Sequence, residues 1–240
     1  EDLTWVEAKE QVQKGTLIVV PVGSTEEHGP HLPVCTDSLV ATRIAEEACR
    51  RVGAIVAPTV QYGYNEKELD FPGTVSIKTI TLLNYLYDIG DSLSRTGFKK
   101  VLFLNGHGWN SAIIVQVCHM LSEATDMWAA ALNYWEIVRD VLTGLRQSAF
   151  PGGMSHACEC ETSLFLHLEP ERVKMDRAVN EIGGINTKYA YNDMVHPSPI
   201  FVTPCFNELT ASGVIGEPLL ATAAKGEAIF TTVVERVAAF

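Results

Sequence analysis

With 240 residues, 47% apolar and 20% charged, the chain has an ordinary globular composition and enough length to bury one large core. Its formal net charge of −11 argues against a broad nucleic-acid contact, which needs clustered Lys and Arg to neutralise phosphates. No apolar run approaches the roughly 20 residues needed to span a bilayer.

Residues 1–14 are polar and charged, without the basic start and apolar stretch of a signal peptide. Residues 17–22 form a continuous apolar run, which predicts a strand covered on both faces. A loop rich in Gly, Pro and His follows, to Thr36. Residues 37–52 then read as a helix, with Leu39, Val40, Ile44 and Ala48 toward one face and a stop at Gly53. Residues 54–57 predict a second short strand, and 62–74 a long functional loop. Residues 79–96 predict a helix ended by Gly97, 101–104 a third buried strand, and 110–124 a further helix. Residues 127–132 predict a fourth strand, 159–168 a helix, and 217–239 a last helix. Residues 170–215 contain Pro170, Pro197, Pro199 and Pro204 and show no regular pattern.

Strands alternating with helices predict a single domain over residues 1–240, a mainly parallel sheet with helices on both faces. The six cysteines, Cys35, Cys49, Cys118, Cys158, Cys160 and Cys205, form no CxxC pair. They predict reduced thiols in a cytoplasmic protein.

In open sheets of this class the ligand site lies beyond the carboxyl ends of the strands. Two loops there hold unusual residues. The first, after Val22, carries Glu26, Glu27, His28 and His31 and reaches Asp37. Glu26 and His28 are two apart, so in an extended segment both can project the same way. Asp37, at a helix start, can turn back toward the same space. One imidazole with two carboxylates suits Zn²⁺, Mn²⁺ or Fe²⁺. Taken singly, each has an ordinary alternative, as a solvated charge or as a partner of the helix dipole. By spacing alone, Glu27 and His31 compete as ligands.

The second loop is Asn105-Gly-His-Gly-Trp-Asn110, with His107 between two glycines that permit close backbone approach. A third segment, His156 to Ser163, places Glu159 and Glu161 at the start of a helix, where acidic groups are favoured in any case. Cys158 and Cys160 lack the second pair that a structural zinc clip requires. His119 and His167 sit inside helical patterns and read as packing or surface residues.

Together these segments resemble the creatininase (creatinine amidohydrolase) family. The resemblance is carried by residues 21–33 with Asp37, Gln61-Tyr-Gly-Tyr64, Phe71-Pro-Gly-Thr74, Asn105-Gly-His-Gly-Trp-Asn110 and Glu161-Thr-Ser-Leu164. It implies an α/β/α sandwich, two divalent metal ions per chain, and a homohexamer acting on a small molecule. By position it implies that Asp37 bridges the metals, with Glu26 and His107 completing one site and His28 and Glu161 the other. His156 matches the family's catalytic histidine. Tyr64, Trp109 and Trp135 become candidate substrate contacts.

Two departures from creatininase proper stand out. Trp109 replaces an acidic ligand, and Gly152-Gly-Met-Ser155 lacks a tryptophan that closes over creatinine. The implied activity is metal-dependent hydrolysis of a C–N bond in a cyclic amide or formamide. Hydrolytic C–C ring opening of a cyclic ketone, such as an oxidised inositol, uses the same chemistry with another leaving group. A non-catalytic subunit of a biosynthetic system is the reading from another class.

Overall fold

The computed structural model describes residues 2–240. Four parallel strands, β1 (Ile18–Val22), β2 (Ile55–Val56), β3 (Lys100–Asn105) and β4 (Trp128–Asn133), form one sheet in the order β2-β1-β3-β4. The helices are α1 (Trp5–Gln13), α2 (Thr36–Val52), α3 (Thr79–Arg95), α4 (Ser111–Ala124), α5 (Arg139–Leu145), α6 (Glu159–Leu168) and α7 (Ala223–Ala239).

The apolar runs explain the layers. Successive side chains of a strand point to opposite faces. Val19, Leu102 and Leu104 enter a core shared with α2, α6 and α7, which contribute Ile44, Leu164 and Val233. Ile18, Val20, Val22, Val101 and Phe103 enter a second core with α3 and α4, which contribute Leu86 and Val117. Helices cover both faces, giving an α/β/α sandwich. The strand order reverses direction between β1 and β3, which places their carboxyl ends side by side at a switch point.

Three local features differ from the sequence expectation. Helix α1 is capped by the Thr4–Glu7 box but buries no residue, so it has no core stripe for periodicity to detect. The last helix begins at Ala223, not 217, because Pro218 opens a 3-10 turn and Thr222 caps the helix by accepting the Lys225 N–H. The irregular stretch 170–215 folds back over the strand ends. It leads into β6 (Ile215–Gly216), which pairs antiparallel with β5 (Met154–His156). Glu181 pins the return: its carboxylate accepts the N–H groups of Ala211 and Ser212 and the hydroxyls of Thr210 and Ser212, at 2.5–2.9 Å.

Candidate metal centre

Four segments deliver the site. The loop after β1 supplies Glu26 and His28, and the first turn of α2 supplies Asp37. The loop after β3 supplies His107, and the first turn of α6 supplies Glu161. All five are at most 6% exposed. The close approach of β3 to α2 requires Gly106, since a Cβ there would strike the Asp37 carbonyl. Gly108, by contrast, faces open space.

Asp37 stands at the middle. Its Oδ1 lies 3.1 Å from His28 Nε2, and its Oδ2 lies 3.1 Å from His107 Nδ1. His107 Nδ1 is also 3.1 Å from Glu26 Oε1, and His28 Nε2 is 3.8 Å from Glu161 Oε1. Three compact groups result: the triads Glu26–Asp37–His107 and His28–Asp37–Glu161, which share Asp37, and a third, Glu26–His28–His156, across them.

The other nitrogen of each imidazole is held by a carbonyl. His107 Nε2 donates to Tyr64 O at 3.0 Å, and His28 Nδ1 faces Glu26 O at 3.3 Å. A carbonyl only accepts, so these contacts place the proton on the outer nitrogen and leave a lone pair facing the centre in the neutral ring. His28 Nε2 and Asp37 Oδ2 are buried with no aligned hydrogen-bond partner despite their short separations. Two nitrogens and three carboxylates converging in this way fit a pair of divalent ions.

The electrostatics agree. Burial holds the Glu26 carboxyl up, and Glu68 adds to this, raising it to about 8. Burial opposes a charge on His28, but Asp37 outweighs it and lifts the imidazole to about 9. For Asp37, burial is overcome by His28 and His107, which hold it below the usual carboxylate range. In the metal-free chain the two histidines thus carry the positive charge that the carboxylates require.

His156 borders the centre. Its Nδ1 is 3.8 Å from Glu26 Oε1, and its Nε2 is 3.0 Å from both the Glu27 carboxylate and the Glu27 carbonyl. Burial disfavours its charge, but Glu27 prevails and holds it well above the ordinary histidine value. Phe206 lies edge-on to the ring at 4.9 Å. Ala157, fully buried, takes a left-handed φ of 49° immediately after it, a strained turn between β5 and α6.

The structure separates the competing residues of the first loop. Glu27 pairs with His156. His31 Nε2 meets Thr162 Oγ1 at 2.8 Å, and burial, with His28 and His156, lowers it to about 4. Neither joins the triads. Glu159 is bound by Lys225. Cys158 and Cys160 are buried thiols pushed up by that burial. His119 is exposed, and His167 packs on Phe230 at 5.6 Å.

Among the candidate substrate contacts, Tyr64 reaches the site through its carbonyl, while its side chain packs on the α3–α4 core. Trp135 is buried in the opposite core, edge-on to Tyr134 at 5.1 Å. Trp109 is half-buried and donates its indole N–H to Glu68 Oε1 at 2.8 Å. Sequence reasoning did not single out Glu68 or Phe206. Glu68 is one residue in a loop and Phe206 opens a short 3-10 turn; neither belongs to a motif, and the neighbours of each are distant in the chain.

A parallel α/β/α sandwich with a buried two-histidine, three-carboxylate donor set at its strand switch point defines a metal-dependent hydrolase. The family model described as creatinine amidohydrolase matches residues 1–240. The creatinine amidohydrolase of Pseudomonas putida is 32% identical over 252 aligned residues, covering 99% of this chain and 93% of the relative. The mycofactocin precursor peptide peptidase of Mycolicibacterium smegmatis is 34% identical, covering 91% of this chain and 81% of that protein. A variant creatininase of the Zn–Zn type superposes with a TM-score of 0.84 at 31% identity, covering 99% of this chain and 94% of the other. The chain belongs to the creatininase family.

Proposed function

We propose that this chain is a dinuclear-metal hydrolase that opens a cyclic amide or cleaves a related C–N bond of a small molecule. The observation that carries this reading is the pair of donor triads joined through Asp37. The names of its relatives, an amidohydrolase and a peptidase, point to the same bond type. Glu26, Asp37 and His107 would hold one ion, and His28, Asp37 and Glu161 the other. Bound there, the ions supply Lewis-acid polarisation of a carbonyl and acidification of a water molecule at neutral pH.

The protein's own groups do the rest. Tyr64 O and Glu26 O hold His107 and His28 in the tautomers that face the centre. Glu27 holds the Nε2 proton of His156, so Nδ1 is the atom turned toward Glu26 and the centre. His156, kept protonated by Glu27, can give its Nδ1 proton to a departing amine as a general acid. Phe206 covers one edge of the His156 ring.

The two cores share one sheet, and we treat residues 1–240 as a single domain. The six cysteines are unpaired, which suits the reducing cytoplasm. No helix among the described residues is long and apolar enough to cross a membrane. Trp128, 82% exposed on edge strand β4, supports self-association, and the assembly we propose is a homohexamer.

Elemental analysis with activity before and after chelation tests the reading. About two ions per chain, and amine release restored by adding one metal, supports it. A new carboxylate without amine release would redirect it to C–C ring opening. Bound metal without turnover of amides, formamides, peptides or cyclic ketones would mark a binding subunit.

A further inference from the structure

Residues 210–216 form a strap that touches both members of the Glu27–His156 pair. At one end Gly213 lies flat against the buried Glu27 carboxylate, where a Cβ would collide with Oε2 and Cδ. Gly213 also takes a left-handed φ of 82°, so glycine is required there on two counts. The Gly29 N–H donates to the same Oε2 at 2.8 Å, and a Cβ on Gly29 would strike the Val214 side chain. Two glycines, one on each segment, let the strap close on the carboxylate and leave Oε1 to His156. At its other end the strap becomes β6, whose Ile215 is in register with His156 of β5. The stretch 213–216 therefore sets Glu27 from one side and the His156 backbone from the other.

Glu181 fixes both ends of that stretch. Its backbone exchanges two hydrogen bonds with Gly216: the Glu181 N–H donates at 3.0 Å, and the Gly216 N–H donates in return at 2.8 Å. Its carboxylate gathers the Thr210 and Ser212 hydroxyls and the Ala211 and Ser212 N–H groups. Thr210 Oγ1, buried and donating to Glu181, accepts the Gly213 N–H at 3.1 Å. A continuous line of contacts thus runs from Glu181 through Thr210 and Gly213 to Glu27 and His156. Hydrogen bonds to an ionised carboxylate are roughly twice as strong as neutral ones, so Glu181 is the firm point of this line. A general acid works only when its proton is aimed at the leaving atom, so whatever fixes Glu27 also fixes the aim of His156.

Resting on the hydrolase reading above, we propose that Glu181 and Gly213 are positioning residues: the strap they hold presses the Glu27 carboxylate against His156 Nε2 and so aims His156 Nδ1 at the leaving group. Neither residue touches the reacting atoms. Both act through Glu27.

Acetanilide and p-nitrophenyl acetate, which carry the same acyl group, test this with the metal-loaded enzyme. The aniline must be protonated to leave, whereas p-nitrophenolate departs unaided. Glu181→Ala should lower kcat on acetanilide by about tenfold to a hundredfold at unchanged KM, a part of what a general acid contributes. Turnover of p-nitrophenyl acetate should stay within about twofold, because that leaving group needs no acid. Glu181→Gln keeps one side-chain oxygen to accept and should recover most of the anilide rate. Equal loss on the two probes would mean that the strap supports only the fold, and overturns the assignment. A crystal structure of Glu181→Ala reads the same link without turnover. The separation of Glu27 Oε1 from His156 Nε2, 3.0 Å in the intact chain, should lengthen beyond hydrogen-bonding distance. An unmoved Glu27 beside a displaced strap also overturns the assignment. Should Glu181→Ala not fold, Thr210→Val removes the one hydroxyl that joins Glu181 to Gly213 and should show the same split between the probes. Wild type that hydrolyses neither probe removes the catalytic half of the assignment with the hydrolase reading, and the crystallographic distance then decides on its own whether Glu181 sets Glu27.

Discussion

Glu27 Oε1 lies 3.0 Å from His156 Nε2, with the Glu27 carbonyl equally close to that nitrogen. The carboxylate lifts the histidine well above its ordinary value, against the effect of burial. Glu27→Gln removes the charge while a side-chain oxygen can still accept. The His156 pKa should fall, and the high-pH limb of kcat should move down by about 1–3 pH units, the usual effect of an opposite charge at this distance. His156→Ala should cost roughly 10²–10⁴ in kcat, the contribution of a general acid. An unchanged pH profile in Glu27→Gln, measured from pH 6 to 10, would mean that Glu27 only supports the loop.

Asp37 contributes one oxygen to each triad. Asp37→Asn should therefore lower the bound metal by both equivalents together, and activity with it. Loss of one equivalent, read by elemental analysis after gel filtration, would show that the sites are independent and that Asp37 is not shared.

The metal-free chain should lose stability as pH rises. Glu26 is held up to about 8 by burial and Glu68, so its folded form retains a proton that the unfolded form releases near 4.5. His28 is raised to about 9, because Asp37 outweighs burial; its contribution is fully present below about 6.5 and lost as pH passes through 9. The two shifts act in the same direction, Glu26 between about 4.5 and 8 and His28 between about 6.5 and 9. Metal uptake must displace these protons, so apparent metal affinity should rise over the same range. Thermal melts of chelated and loaded protein at several pH values should diverge. Parallel curves would contradict the protonation of the empty centre.

Gly106 lies where a Cβ would meet the Asp37 carbonyl. Gly106→Ala should destabilise the chain by about 1–3 kcal/mol, the usual cost of overpacking. It should also weaken metal binding, because the clash falls between two ligand-bearing segments. Gly108→Ala, facing open space, should do neither. Denaturant titration with metal analysis distinguishes the pair, and equal behaviour of the two variants would sink the packing account.

Much of this was legible in the sequence. The runs at 17–22 and 101–104 predicted buried strands, and they lie side by side as β1 and β3 with side chains in both cores. The loops at their carboxyl ends carry three of the five donor residues, and Asp37 follows in the first turn of α2. Segment 170–215 was illegible because its order comes from contacts, not periodicity. Glu181 clamps residues 210–212, and a Cβ on Gly213 would collide with the Glu27 carboxylate. Neither contact leaves a local pattern.

The sequence by itself determined the layered α/β architecture and the kinds of donor group at the strand ends, because apolar runs, helix stops and loop composition act over short range. Residue spacing left open which member of each neighbouring pair faces the centre; the resemblance implied Glu26 and His28, and the physical reason lies only in the tertiary structure. Glu26 and His28 turn toward His107 and Glu161, while Glu27 and His31 turn toward His156 and Thr162. Neighbouring residues of a loop differ little in propensity. They are distinguished by partners some 80 to 130 positions away, and folding alone brings those partners within 4 Å.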